Sequence, residues 1–128
     1  MFLVNLRSNI CFAVSTVSSY LVETHCIDAK NLLRYLHGTI TNGLRYTAGD
    51  VRLLGYTDVD WAGSVVDRKS TSGYCFILGS ASISWMSRKQ KSVALSTAEV
   101  GYIVASITSC EVVWLRKLFS ELFEHIPL

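Results

Sequence analysis

The chain has no internal repeat, no low-complexity segment and no Cys-x-x-Cys pair, and its one proline, Pro127, sits at the very end. Each absence removes a class of protein. Its four cysteines, Cys11, Cys26, Cys75 and Cys110, lie too far apart for a compact zinc site or a disulfide scaffold. They read as buried, reduced thiols of an intracellular protein. No apolar run is long enough for a signal peptide or a membrane span, because Asn5, Arg7, Ser8 and Asn9 interrupt the opening Met-Phe-Leu-Val. The expectation is a soluble chain of the cytoplasm or nucleus with no membrane partner. A strong charge bias is lacking too: a net charge of +2 names no nucleic-acid partner unless the cations cluster locally. His25, His37 and His125 are scattered and have no second ligand at metal-binding spacing.

What is present is a folding composition, with 50% hydrophobic and 17% charged residues in 128, enough for the core of one small domain. Ile10, Phe12, Ala13, Val14, Val17 and Leu21 recur at near-helical spacing over 9–22. Ile27, Leu32, Leu33 and Leu36 do so over 25–37, and the pair predicts a helical hairpin. Gly38 is a plausible stop, since the residue past a helix end often needs a left-handed conformation. From Leu44 the period changes. The runs 44–46, 51–57, 73–78 and 83–86 are short, rich in β-branched and aromatic residues and separated by Gly, Asp and Ser, so they read as antiparallel strands. After Thr97, Val100, Ile103, Val104, Ile107, Cys110, Trp114, Leu115, Leu118 and Leu122 keep a three-and-four spacing, which predicts one long helix capped by Ser96 or Thr97 and ended by Pro127.

The words within these elements are more specific than their periods. Gly55-Tyr-Thr-Asp58-Val-Asp60-Trp61-Ala-Gly63, followed by Asp67-Arg-Lys-Ser-Thr-Ser-Gly73-Tyr, puts carboxylates at the end of an apolar strand. Ser82-Ile-Ser-Trp85, Ser87-Arg-Lys-Gln-Lys-Ser-Val-Ala-Leu-Ser-Thr97 and Trp114-Leu-Arg-Lys-Leu118 follow in order. Together they resemble the start of the ribonuclease H domain in the Pol polyprotein of copia-type retrotransposons. Upstream, Asn5-Leu-Arg7-Ser-Asn-Ile10-Cys-Phe-Ala-Val14 and Ala29-Lys-Asn-Leu-Leu-Arg34-Tyr-Leu-His-Gly38-Thr resemble the end of the preceding reverse transcriptase, although the family has Pro-Asp where this chain has Ser8-Asn9. The resemblance implies an α/β, incomplete ribonuclease H-like fold: a three-stranded antiparallel sheet packed by a long helix and preceded by the helical hairpin. Residues 1–46 would be the reverse-transcriptase tail, a hairpin and short strand, and 47–128 the truncated ribonuclease H-like domain.

The reaction that the family implies is magnesium-dependent cleavage of the RNA strand of an RNA/DNA hybrid. Two ions held about 3.5–4 Å apart need several converging carboxylates. Asp58 matches the first strand ligand, and Asp60, two residues on and therefore on the same face, is a possible assistant. The family's helix ligand is the Glu immediately before a Tyr. Here the word is Ser96-Thr97-Ala98-Glu99-Val100-Gly101-Tyr102, so that position is Gly101, and Glu99 lies about 200° away around the helix. The later Asp ligands of the family are absent from the sequence. Glu121 and Glu124 read as a solvated helix tail. The expectation is a chain that has lost hydrolysis and does not bind Mg2+ productively. Without the resemblance, Asp58 and Asp60 would read simply as strand-end acids with turn roles.

Two basic, hydroxyl-rich segments carry the alternative. Arg68 and Lys69, with Arg88, Lys89 and Lys91, are predicted to lie in turns and to form one phosphate-contacting surface for RNA/DNA hybrid or single-stranded nucleic acid. The equally ordinary reading is that loops between strands are basic and polar. Trp61 and Trp85 read as core aromatics before base-stacking ones. A further expectation concerns the strand 51–57: with no fourth strand beside it, its edge would be unpaired and the helix stripe at Val100, Ile107 and Trp114 partly uncovered. That predicts self-association, or a sheet completed by another chain.

Overall fold

Alternating apolar residues after Arg52 form three strands: β1 (Leu53–Asp60), β2 (Thr71–Leu78) and β3 (Ala81–Lys89). They pair antiparallel in the order β1-β2-β3. This computed structural model describes residues 2–19, 23–47, 49 and 52–123; Leu21, Val51, Glu124, His125 and Pro127, used above, lie outside them. The β1–β2 register runs from Leu53 opposite Leu78 to Asp60 opposite Thr71. The β2–β3 register shifts between Phe76 and Ile77, leaving Ile83 as the extra residue of a bulge. Gly79 turns the β2–β3 hairpin at φ 61°, a left-handed conformation that suits glycine. All three strands outrun the expected lengths, and β1 reaches Asp60 rather than Thr57.

One face of this sheet is covered by a single helix, α4 (Thr97–Leu122). Its three-and-four spacing buries Val100, Val104, Leu115 and Phe119. Leu115 and Phe119 close on Phe76, with Leu53, Tyr74, Leu78, Ile83 and Val112 packed around them. Each such side chain taken fully out of water contributes about 1.5–3 kcal/mol. The Tyr74 and Phe76 rings meet at a centroid distance of 5.5 Å and an interplanar angle of 54°. Burial, with the Glu111 carboxylate beside it, pushes the Tyr74 phenol above its ordinary value. Glu111 itself accepts the Ser84 hydroxyl at 2.6 Å. By length and apolarity α4 is the one described helix that would be able to cross a bilayer. Its buried stripe is spent on the sheet, as in the core helix of a globular domain. Ile107, Trp114 and Leu122, expected on that stripe, are left exposed, while Phe119, not singled out above, is buried.

The N-terminal part contains α1 (Phe2–Leu6), a 3-10 turn Ser8–Ile10, α2 (Cys11–Ser19) and α3 (Glu23–Gly38), so the expected hairpin is present as α2 and α3. Ile10 and Cys11 are buried where α2 meets β3. The Trp85 indole N–H donates to the Val4 carbonyl at 2.8 Å and ties α1 to the same strand. Arg7 holds the end of α3, donating from its guanidinium to the Thr39 hydroxyl at 2.7 Å and to the Thr39 carbonyl at 2.6 Å. Asn9 donates to the Tyr35 hydroxyl.

Three expectations change here. Gly38 is the last residue of α3 and not a left-handed cap; the Arg7 guanidinium serves the end of that helix. Residues 44–46 form no strand: the Tyr46 hydroxyl donates to the Ser82 carbonyl at 2.8 Å, and the Thr47 N–H to Ser80 Oγ at 2.9 Å, so the segment is held by single bonds rather than a ladder. All four cysteines are free thiols, yet Cys26 and Cys110 are exposed, Cys75 is half-buried and only Cys11 is buried.

Candidate functional site at one end of the sheet

Strand parity decides where the carboxylates go. Cross-strand partners point to the same face, so Thr57 with Tyr74 and Gly55 with Phe76 face α4. Asp58 with Gly73 and Asp60 with Thr71 therefore face away from it. Asp58 is exposed, and its Oδ1 accepts the N–H of Val59 at 2.8 Å. The Asp60 carboxylate folds over Gly63, where an added Cβ would come within 1.7 Å of Oδ2. Asp60 also borders a cleft of about 200 Å³ with Thr71, Lys89, Ser64 and, from α2, Phe12 and Thr16.

Gly101 lies on the helix that covers the opposite face. It is exposed, and a Cβ there would touch nothing within 4 Å. Position 101 thus belongs to the element on the α4 face of the sheet, and Asp58 to the other face. Glu99 has a different task. The Ser96 hydroxyl accepts the Glu99 N–H at 3.2 Å, and Glu99 Oε2 accepts the Leu95 N–H at 2.7 Å. Serine followed three residues later by glutamate is a helix-start signature, reciprocally satisfying backbone donors. The residues present do not fit a two-magnesium centre: Asp58 and Asp60 supply one side of the sheet and α4 supplies no carboxylate to it. Among the described residues no three of His, Cys, Asp and Glu gather into a group able to hold a metal ion.

The basic residues gather at the same end, in a different arrangement from the expected turns. Arg88 and Lys89 belong to β3 itself, and the register sets Lys89 opposite Thr71. The Gln90 N–H donates to the Ser70 carbonyl at 2.8 Å, joining the loop that carries Arg68 and Lys69 to the segment that carries Lys91. Alternation then splits the set. Lys89 turns to the α2 side, where its ammonium lies 3.3 Å from Asp67 and 3.0 Å from Ser64 Oγ. The Ser64 hydroxyl, with the Lys69 N–H and the Lys89 ammonium beside it, holds the Asp67 carboxyl below the ordinary carboxylate range. Arg88 turns to the α4 side, lining with Lys91, Gln90, Met86, Ile103 and Ile107 a cleft of about 390 Å³. Arg68 sits at φ 54° in the loop.

Ser70, Ser72 and Gln90 form a buried polar cluster that the sequence reading missed. The Ser70 hydroxyl accepts the Ala62 N–H at 3.0 Å, and Gln90 Nε2 donates to Ser72 Oγ at 2.7 Å. Gln90 Oε1 is buried with no hydrogen-bond partner. The available signal was a glutamine enclosed by lysines at a strand end, which sequence alone leaves indistinguishable from a solvated one. The Trp61 indole N–H points to the Ala94 carbonyl at 3.4 Å and Trp85 is anchored to the Val4 carbonyl, but Trp61 is exposed rather than the core aromatic expected.

Known proteins align with most of this chain. The retrovirus-related Pol polyprotein from transposon TNT 1-94 of Nicotiana tabacum is 43% identical over 122 residues, covering 93% of this chain and 9% of the polyprotein. The Pol polyprotein from transposon RE1 of Arabidopsis thaliana is 40% identical over 120 residues, 91% of this chain and 8% of the polyprotein. Secreted RxLR effector protein 161 of Plasmopara viticola is 45% identical over 113 residues, 85% of this chain and 80% of that protein. The chain is thus similar to one segment of the retrovirus-related Pol polyproteins of transposons. It spans 9% or less of the length of the two polyproteins named here. No family model and no solved structure matches it.

Proposed function

We propose that this chain is the ribonuclease H-like segment of a copia-type Pol polyprotein, following the end of its reverse transcriptase, and that it does not hydrolyse an RNA/DNA hybrid. One observation carries the second half: Asp58 stands on one face of the sheet and Gly101 on the helix covering the other, so the first carboxylate has no helix partner. Phosphodiester cleavage by two metals needs ligands converging from several elements. The strand order, the long helix after β3 and the words around Asp58, Trp85 and Ser96 support the first half. The test is cleavage of a labelled hybrid in magnesium or manganese, where no metal-dependent product is expected.

A second reading, non-catalytic binding of single-stranded or hybrid nucleic acid, is favoured by the cleft on the α4 side. Arg88 and Lys91 offer phosphate contacts, and Met86, Ile103 and Ile107 an apolar wall. Replacing Arg88 and Lys91 by Ala should weaken binding and flatten its dependence on salt, because fewer counterions are released. Binding that is absent at low ionic strength, or insensitive to the pair, contradicts this reading.

A further inference from the structure

The two edges of the sheet are treated differently. On β3 three outward groups have partners: the Ser87 N–H donates to Cys11 Sγ at 3.3 Å, Cys11 Sγ lies 3.7 Å from the Ser87 carbonyl, and the Ser82 carbonyl accepts the Tyr46 hydroxyl at 2.8 Å. On β1 the Arg52 carbonyl accepts the Gly79 N–H at 3.1 Å, which fixes the even-numbered residues as those bonded to β2. The backbone groups of Leu53, Gly55, Thr57 and Val59 therefore point outward. Among the described residues no strand pairs with them. The Val59 N–H has a local acceptor, Asp58 Oδ1 at 2.8 Å.

We infer that this open edge docks the same edge of a second copy of the chain, antiparallel, about a two-fold axis at Tyr56. The strand is complementary to itself in that register. Outward residues meet outward residues, Leu53 against Val59 of the second copy and Gly55 against Thr57, each pair able to exchange two backbone bonds. Both pairs lie on the α4 face, and Leu53 with Val59 makes an apolar contact there. On the other face Tyr56 meets Tyr56, an aromatic pair at a non-hydrogen-bonded position where side chains approach closely. Arg52 comes opposite Asp60, and the axis makes that opposite-charge pair twice. No like charges stand directly opposite, because Asp58 falls against Leu54. The Val59 N–H exchanges its Asp58 acceptor for the Leu53 carbonyl of the second copy. Leu54 and Tyr56, exposed in the single chain, become covered. This dimer does not depend on hydrolysis or nucleic-acid binding, and it joins the two three-stranded sheets into one.

Sedimentation velocity across a concentration series tests it, with thermal melts to verify that each variant folds. Thr57→Pro removes an outward N–H and no β1–β2 bond, so it should leave the melt cooperative and move the chain to monomer. Arg52→Glu and Asp60→Arg each set like charges against one another twice, and each alone should raise the dissociation constant about tenfold. Mixing the two variants restores opposite charges at both positions and should restore association. Asp58→Ala frees the Val59 donor and should tighten the dimer. A parent chain that stays monomeric, the result expected if another partner or another part of a polyprotein occupies this edge, overturns the inference. So does association that survives Thr57→Pro, or charge variants that fail to rescue each other.

Discussion

Gly55 and Phe76 are cross-strand partners, and the Phe76 ring occupies the space that a side chain at position 55 would need: an added Cβ would lie 2.6 Å from Cε1. Phe76 is 2% exposed and cannot swing away, because Leu115 and Phe119 close over it from α4. The glycine of the Gly55-Tyr-Thr-Asp58 word is therefore a packing requirement of the core.

Gly55→Val should destabilise the fold by about 1–3 kcal/mol, the usual range for overpacking. Gly43→Ala is the control, since a Cβ there meets nothing within 4 Å and a surface change of this kind stays within about 0.5 kcal/mol. Urea unfolding of the two variants checks the difference. Equal stabilities would mean that the Phe76 ring has room to move.

The start of α4 gives a second prediction. Ser96→Ala should cost about 1 kcal/mol, because the Glu99 N–H loses its acceptor. Glu99→Ala should destabilise in the same direction, because the Leu95 N–H loses its acceptor. Neither change alters any residue of the β1 edge, so neither should change self-association. Thermal melts and sedimentation of the same samples separate the two effects.

Elements with a sustained period were legible in the sequence. The three-and-four spacing after Thr97 predicted α4 with a cap at Ser96 or Thr97, of which Ser96 is the one used, and the runs around Tyr56, Cys75 and Trp85 predicted three antiparallel strands. What failed had a shared cause: local sequence does not say where a side chain's bonds go. Leu44-Arg-Tyr46 has strand-like residues, but Tyr46 gives its hydroxyl to Ser82 and the backbone makes no ladder. Arg88 and Lys89 look like turn residues, yet pairing with Ser72 and Thr71 carries β3 through them and sends them to opposite faces. The parity that separates Asp58 from Gly101 follows from the register, which requires knowing that Gly55 sits against Phe76. Glu99 was legible as a capping residue from Ser96-Thr-Ala-Glu99 alone, and that signal was overlooked.

Asp67 makes stability depend on pH. Its folded carboxyl titrates below the ordinary range because Ser64, the Lys69 N–H and Lys89 favour the ionised form. A depressed folded value stabilises the fold above the unfolded carboxylate value, about 3.9, and that contribution disappears as pH falls through the lower, folded value. Asp67→Asn should thus be less stable than the parent near neutrality, and the gap should shrink on acidification. Unfolding midpoints measured between neutral and strongly acidic pH check this. A gap that is constant with pH would assign the effect to packing rather than to charge.

Hydrolysis itself is the most direct measurement of the central claim that Asp58 has no partners. The parent and the Gly101→Glu variant are each incubated with a labelled RNA/DNA hybrid in magnesium and in manganese, with Asp58→Asn alongside. Metal-dependent cleavage should be absent from all three, because position 101 lies on the helix that covers the other face of the sheet and two ligands remain too few for two ions. Turnover by the parent or by Gly101→Glu that disappears with Asp58→Asn would contradict the account, and would mean that the site assembles across the sheet after all.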